Sequence, residues 1–122
     1  MSLRLHSAQR IRKADIFSVV KKRGKFIRGS FINVWVYEKL SPDISPKIGL
    51  IVSRKVSKRA NQRNLWKRRM REVFRRNQNI IRPMHWILMQ AKAQESVAPY
   101  TGIENEFLNA IGKAGALIIT EK

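Results

Sequence analysis

Side chains that could perform acid–base or metal chemistry are few and scattered along this chain. It has two histidines, His6 and His85, no cysteine, and eight Asp and Glu residues. A metal-dependent nuclease needs clustered carboxylates, and a metal-free one needs a His pair or a His–Glu pair for proton transfer. Glu104 and Glu106 are two residues apart, hence on different faces of a predicted helix, so we expect both to be solvated. The sequence therefore predicts no catalytic residue and no metal site in the protein itself.

Positive charge is the chemical feature that remains. The chain has 26 Lys and Arg and a formal net charge of +18, and residues 1–76 contain 22 of these cations against 4 acids. Like charges at this density repel each other unless a polyanion neutralises them. Binding to phosphates also releases condensed counterions, which favours nucleic acid as the partner. An anionic membrane surface is the alternative that charge alone leaves open.

Length and composition indicate one small domain over residues 1–122. We expect residues 1–8 and 116–122 to be loosely ordered. The hydrophobic content of 43% is enough for a core, and the lack of cysteine is compatible with a reducing cytoplasm, where we place the protein. No apolar run approaches the roughly 18 residues that span a bilayer, and no obligate protein partner is evident.

Hydrophobic periodicity predicts three helices and three strands. The helices are predicted at 14–22, at 58–77 with Ser57 as a cap, and from Thr101 onward; the strands are predicted at 30–38, 47–54 and 86–89. Because 41–46 is rich in turn residues, the first two strands are expected to form an antiparallel hairpin. In the first strand, Val34 faces one side with Ile32 and Val36, while Trp35 and Tyr37 face the other. We interpret these two aromatics as core residues.

The long helix has two distinct faces when it is projected at about 100° per residue. An apolar stripe contains Trp66, Met70, Val73 and Phe74. A polar and cationic arc, centred about 120° away, contains Asn64, Lys67, Arg68, Arg71 and Arg75. Most charged faces are simply solvated, but ordinary solvated helices mix both signs. Glu72 alone cannot neutralise this arc, so we favour a phosphate-binding surface.

The segment KIGLIVSRKVSKRANQRNLWKRRMREVFR, residues 47–75, strongly resembles the protein subunit of bacterial ribonuclease P. The signature of that family has the form Arg-Asn-x-x-Lys-Arg-x-x-Arg-Glu on a long helix, after a strand that ends in Val-Ser-Lys-Lys-Val. The helix signature is matched by Arg63, Asn64, Lys67, Arg68, Arg71 and Glu72, and the strand end by residues 52–56 with Arg54 in place of a lysine. Residues 10–31 resemble the family's amino-terminal pattern, although Ile16 intervenes between Asp15 and Phe17. The resemblance covers roughly residues 9–115.

The resemblance implies an α+β fold, a ribosomal-protein-like sandwich of a mixed sheet with helices. It also implies a left-handed crossover, through the signature helix, between two parallel strands. The implied function is to assist a catalytic RNA that removes the 5′ leader from precursor tRNA. In that holoenzyme, Mg²⁺ is held mainly by the RNA.

Two binding surfaces follow from the resemblance. The surface implied for the catalytic RNA comprises Arg54, Lys55, Arg63, Asn64, Lys67, Arg68 and Arg71. The surface implied for the single-stranded leader is a cleft between the first helix and the sheet, with Phe17, Lys21, Arg28 and Val34. Other members often carry an aromatic where this chain has Lys21, and Val34 is expected to replace a cleft tyrosine. Phe17 is compatible with base stacking or with core packing. Trp35 or Tyr37 is an alternative stacking residue, but alternation places both on the other face from Val34, and core packing is favoured for them.

Two other functions remain open from the sequence. A general structural RNA- or DNA-binding protein, such as a ribosomal component, would explain the charge but not the ordered signature. Residues 1–28 are also Arg-rich and nearly free of acids, as transit peptides are. Because Phe17 and Gly24 match the family's folded pattern, removal of this segment is the less favoured interpretation.

Overall fold

The computed structural model of the chain describes residues 14–38, 47–82 and 85–116. Within these ranges, four strands form one mixed sheet with three α-helices packed on it. The helices are α1 (Ala14–Arg23), α2 (Ala60–Asn77) and α3 (Tyr100–Lys113), and the strands are β1 (Lys25–Arg28), β2 (Ile32–Glu38), β3 (Lys47–Ile51) and β4 (His85–Ala91). A short 3₁₀ turn, Gln78–Ile80, follows α2. No helix in the described ranges has the length and apolar character needed to cross a bilayer.

The sheet has the strand order β1-β2-β4-β3. β4 pairs antiparallel with β2 and parallel with β3, so the predicted hairpin between the strands at 30–38 and 47–54 is wrong. The physical reason is that β4 is apolar on both faces and six of its seven residues are buried, which places it in the centre of the sheet. The predicted turn at 41–46 lies outside the described residues. β2 instead forms its hairpin with β1, a mostly exposed strand of four residues whose sequence carries no clear strand pattern.

The α+β fold and the mixed sheet implied by the family resemblance are confirmed. The adjacent parallel strands β3 and β4 are connected through α2, which is the expected crossover. Its left-handedness stays a prediction.

Side chains alternate along the strands and form one hydrophobic core on each face of the sheet. Ile32, Val34 and Val36 pack with the apolar stripe of α2 and with α3. Trp35 and Tyr37 pack on the opposite face with residues of α1, including the fully buried Val20. One face therefore belongs to α2 and α3, and the other belongs to α1.

The signature helix α2 buries the stripe that its periodicity predicts, namely Trp66, Met70, Val73 and Phe74. The helix begins at Ala60, two residues after the predicted start, and its N-cap position is Arg59 rather than Ser57. The Ser57 hydroxyl accepts a hydrogen bond from the backbone N–H of Arg59 at 3.2 Å. Ser57 thus fixes the approach to the helix without capping it.

The carboxylates of Glu104 and Glu106 both have partners, which corrects the expectation that they are solvated. The Glu106 carboxylate accepts backbone N–H groups from Ser30 (2.9 Å), Phe31 (2.9 Å) and Ile32 (3.0 Å). It therefore ties α3 to the turn that joins β1 and β2. These contacts could not be expected from the helical pattern, because they join residues 74 to 76 positions apart in the sequence.

Glu104 connects α3 to α2 and to the ring at its own amino-terminal end. Its carboxylate accepts a hydrogen bond from the Asn77 amide at 2.9 Å and one from the Tyr100 hydroxyl at 3.2 Å. Burial, followed by the nearby Glu104 carboxylate, raises the pKa of the Tyr100 phenol above its ordinary value. The phenol therefore remains a hydrogen-bond donor at neutral pH.

Ala116 follows α3 and is part of the folded domain. Its side chain is buried, and its carbonyl accepts the backbone N–H of Arg82 at 2.7 Å. The expected loose ordering therefore does not apply to this residue. The remainder of that expectation, residues 1–8 and 117–122, lies outside the described residues.

Candidate nucleic-acid interface

The polar and cationic arc of α2 faces away from its buried stripe. Asn64 and Arg68 are exposed, while Lys67 and Arg71 are half-buried along their stems. Glu72 is the one acid of α2, and its carboxylate pairs with Arg75, which donates from Nε at 2.8 Å. This hydrogen bond lowers the pKa of Glu72. The Glu72 carboxylate is therefore ionised and paired with Arg75. One carboxylate cannot neutralise all the cations of the arc.

A second group of cations gathers before α2. Arg54, Lys55, Lys58 and Arg63 line an open depression of about 670 Å³ with no acid among its lining residues. Arg63 is fixed there because its Nη1 donates to the backbone carbonyl of Ser57 at 2.8 Å. The nearby amino-terminal end of α2 adds the positive end of the helix dipole. The depression has the composition of a phosphate site, and it joins three residues that the family resemblance assigned to the catalytic RNA.

The face of the sheet that carries α1 has an aromatic groove beside this helix. The Phe26 and Trp35 rings lie 4.9 Å apart between centroids, and the Nζ of Lys21 is 5.3 Å from the centre of the Trp35 ring. Phe26 is 46% exposed, so this platform is accessible from solvent. Arg28 is exposed on the same strand, two residues further on. A cation beside two adjacent, tilted rings is suited to single-stranded RNA, whose bases can stack on an exposed ring face.

Phe17 lies at the other end of this face, against β3. A Cβ atom placed on Gly49 would lie 2.9 Å from Cε1 of Phe17 and 2.5 Å from Cδ2 of Leu88. The ring is half-buried and packs against the core on the α1 face, and part of it remains accessible. Core packing is therefore observed, and base stacking by Phe17 stays a prediction.

Val34 does not belong to this groove. Its side chain is 1% exposed and packs under α2 and α3, on the other face of the sheet from Phe17 and Lys21. Strand alternation places Trp35 on the groove side instead, where its ring contacts both Phe26 and Lys21. Val34, which was expected in the leader set with Phe17, Lys21 and Arg28, is therefore inaccessible from the groove, whereas Trp35 lies on the groove side. That the leader binds there stays a prediction.

Phe26 was not assigned to the leader surface from sequence, and Trp35 was only the less favoured alternative to Val34. Phe26 was missed because the short strand β1 was not predicted. For Trp35 a signal was present: alternation separates it from Val34, and the position of α1 decides which of the two faces is the groove.

Gly49 offers a direct test of the groove floor. We expect Gly49→Val to lower the free energy of unfolding by about 1–3 kcal/mol, since its side chain would displace Phe17 and Leu88 from the positions that they occupy. Urea denaturation would measure the loss. Gly112→Ala, at an exposed position of α3, is the control and should leave stability unchanged or slightly raised. Equal stability of the two variants would contradict the tight packing of Phe17 on Gly49.

In the part of the chain that the structure describes, acidic and imidazole side chains do not cluster into a metal site. No group of three or more His, Asp or Glu residues in those ranges could hold a metal ion. The described surfaces are of two kinds: one is a cationic arc with a cationic depression, and the other is an aromatic groove flanked by Lys21 and Arg28.

Comparison with known proteins identifies the family of this chain. The model of the family described as Ribonuclease P matches residues 5–115. The ribonuclease P protein component of Azoarcus sp. is 30% identical over 110 residues, which cover 90% of this chain and 89% of that protein. The component of Vesicomyosocius okutanii subsp. Calyptogena okutanii is 32% identical over 113 residues, which cover 93% and 96%.

Solved structures show the same fold. A Staphylococcus aureus RNase P protein mutant with defective mRNA degradation activity superposes with a TM-score of 0.77 at 25% identity, covering 89% of this chain and 90% of that one. The RNase P protein from Thermotoga maritima has a TM-score of 0.72 at 25% identity, covering 85% and 96%. The chain therefore belongs to the ribonuclease P protein family.

Proposed function

We propose that this chain, as the protein component of a ribonuclease P, binds two RNAs at once through separate surfaces. The observation that carries the proposal is the placement of these surfaces. The cationic arc belongs to α2, which packs on one face of the sheet, whereas the aromatic groove lies beside α1 on the other face. Two strands of RNA can therefore bind without competing for the same side chains.

The catalytic RNA is assigned to α2 and to the depression before it. Arg and Lys on one arc can contact successive phosphates, and Asn64 can hydrogen-bond a sugar or a base edge. The residues proposed for this contact are Arg54, Lys55, Arg63, Asn64, Lys67, Arg68 and Arg71.

The 5′ leader of precursor tRNA is assigned to the groove. A single strand exposes its base faces, which can stack on Phe26, Trp35 and the accessible part of Phe17. Lys21 and Arg28 can follow its phosphates at the same time. A double helix hides its base faces, so this groove favours the unpaired leader over the mature tRNA body.

Cleavage itself is assigned to the RNA. Following the family resemblance, we propose that the Mg²⁺ ions of the reaction are held mainly by the RNA. The protein then raises activity by neutralising phosphates and by holding the leader in place. The cytoplasm is the compartment in which we place this reaction.

Reconstitution tests the function directly. We expect the purified protein alone to leave precursor tRNA intact, and expect its addition to the catalytic RNA to lower the Mg²⁺ and salt concentrations needed for 5′ maturation. Cleavage rates measured over a Mg²⁺ series, with and without the protein, give the result. Binding without any effect on cleavage would instead support a general RNA-binding protein.

The Trp35 platform predicts a leader-specific defect. Trp35→Leu keeps an apolar side chain in the core but removes the stacking surface, so precursor tRNA should bind about 5- to 50-fold more weakly, the equivalent of roughly one stacked base. Mature tRNA should bind as before. Fluorescence anisotropy with both RNAs gives the ratio.

Val34→Ala is the matched control for Trp35→Leu. It changes the neighbouring residue, whose side chain lies on the opposite face, so it should lower stability without altering the ratio of precursor to mature affinity. A Trp35 variant that affected the two RNAs equally would exclude the ring from the leader site.

A further inference from the structure

A cavity lies at the end of the sheet where α1 finishes and β4 begins. It has a volume of about 420 Å³, and its charged and titratable lining residues are Arg23, Lys25, Tyr37, Glu38, Arg82 and His85. They come from the end of α1, the start of β1, the end of β2 and the approach to β4. Neither the cationic arc of α2 nor the aromatic groove uses any of these side chains.

The charge of the cavity favours an anion. Three cations line it against the single carboxylate of Glu38. Arg23, Lys25 and Arg82 are all exposed side chains, so each can extend over a bound group. Guanidinium groups match the oxygens of a phosphate through paired N–H donors, and Lys25 adds a point charge.

His85 gives this cavity a buried polar wall. The side chain is only 5% exposed, and its Nδ1 lies 3.1 Å from the backbone carbonyl oxygen of Arg82. A carbonyl can only accept, so Nδ1 carries the proton and donates it there. The backbone N–H of Arg82 in turn donates to the carbonyl of Ala116 at 2.7 Å. The imidazole is thereby held in a fixed orientation at the cavity wall before any ligand binds.

We propose that this cavity is a third RNA site, which holds a phosphodiester group between Arg23, Lys25 and Arg82 with His85 at its wall. A water molecule occupies about 30 Å³ of liquid, so the space is sufficient for a phosphate and part of its ribose. That the phosphate comes from RNA rests on the proposed function. The strand that supplies it is either the leader of precursor tRNA or the catalytic RNA.

The first experiment compares two double variants of equal charge. Arg23→Gln with Lys25→Gln removes two cavity cations, and Lys22→Gln with Lys113→Gln removes two exposed cations that do not line the cavity. The cavity variant should weaken binding of the RNA that occupies it about tenfold at ~0.15 M salt and lower the salt slope by about 1–2 counterions. The control should change affinity less than about twofold. Similar losses in both variants, for every RNA tested, would overturn the proposal.

The choice of RNA identifies the source of the phosphate. A loss seen with precursor tRNA that grows with leader length, and is absent with mature tRNA, assigns the site to the leader. A loss seen with the catalytic RNA alone assigns the site to that molecule. Thermal melting of both variants checks that Lys25→Gln, which also gives up a 3.5 Å contact from Nζ to the Ala114 carbonyl, remains folded.

The second experiment observes the cavity wall itself. The chain has two histidines, so a His6→Gln protein carries His85 as its single imidazole, whose ring signals can be followed by NMR. Titration with an oligouridylate should shift the His85 ring signals saturably in the parent and not in the Arg23/Lys25 variant. Unchanged His85 signals while the oligonucleotide binds elsewhere would exclude the cavity.

This second readout needs neither cleavage nor the catalytic RNA. If the protein failed to stimulate precursor tRNA cleavage but the His85 signals still responded, the proposed function would be lost and the phosphate site retained. The opposite pattern would retain the function and remove the site.

Discussion

Replacing Arg63, Lys67 and Arg68 together by glutamine should weaken binding of the catalytic RNA about 100-fold at ~0.15 M salt. Counterion release at this salt concentration contributes roughly fivefold for each phosphate that a cation neutralises. The three side chains lie on or beside one face of α2, and the carboxylate of Glu72 on the same helix is paired with Arg75. The slope of log affinity against log salt should fall by about three.

The control for this triple variant removes three cations outside both proposed RNA surfaces. Lys22, Arg76 and Lys113 are exposed, and Arg76 lies against the Tyr100 ring on the side of α2 that faces α3. Their replacement by glutamine changes net charge equally and should alter affinity only a few-fold. Because Arg63 also donates to the Ser57 carbonyl, melting curves must accompany the affinities. If the two triple variants lost affinity equally, α2 would contribute only general charge.

Replacing Glu106 by alanine should lower the free energy of unfolding by about 2–4 kcal/mol. Its carboxylate accepts three backbone N–H groups, and hydrogen bonds to charged acceptors are among the stronger ones. Ser30 is exposed and can recover a water molecule, but Phe31 and Ile32 are partly or fully buried, and their N–H groups would lose their acceptor. Thermal unfolding should shift downward by roughly 10 °C.

Two further substitutions distinguish the effect of the Glu106 hydrogen bonds on stability from a general effect of substitution in α3. Asn105→Ala changes an exposed position of α3 and should leave the melting temperature unchanged or slightly higher. Glu106→Gln retains one acceptor oxygen but turns an amide N–H toward a backbone N–H. Its melting temperature should therefore lie between those of the parent and Glu106→Ala. Equal melting temperatures for the parent and Glu106→Ala would show that the turn between β1 and β2 does not depend on this carboxylate.

The helical period predicts the buried and cationic faces of α2 well because one continuous segment of the sequence contains the residues of both faces. Each fourth or third residue from Trp66 to Phe74 is apolar, and the intervening cations fall together. The strand order of the sheet could not be predicted in this way, since it depends on pairing between segments that are far apart in the sequence. Turn chemistry at 41–46 favoured a local hairpin, whereas the largely apolar and buried β4 takes the central position between β2 and β3.

The residues of the candidate site were likewise only partly predictable from local sequence patterns. Alternation alone shows that Val34 and Trp35 point to opposite faces, but only the position of α1 shows which face is the groove. The contacts of Glu106 and the cavity around His85 join segments that are distant in sequence, so no local pattern contains them. Contacts between side chains that are far apart in the sequence could therefore not be predicted from local patterns.

The central position of β4 has a consequence for synthesis of the chain. β2 and β3 both emerge from the ribosome before β4, yet each pairs with β4 and neither pairs with the other. Until residues 85–91 are available, β3 has no sheet partner in the described fold, and α2 has only part of the surface that buries its stripe. Folding to the native sheet must therefore wait for the last third of the chain, and a nascent β2–β3 pairing would have to open to admit β4.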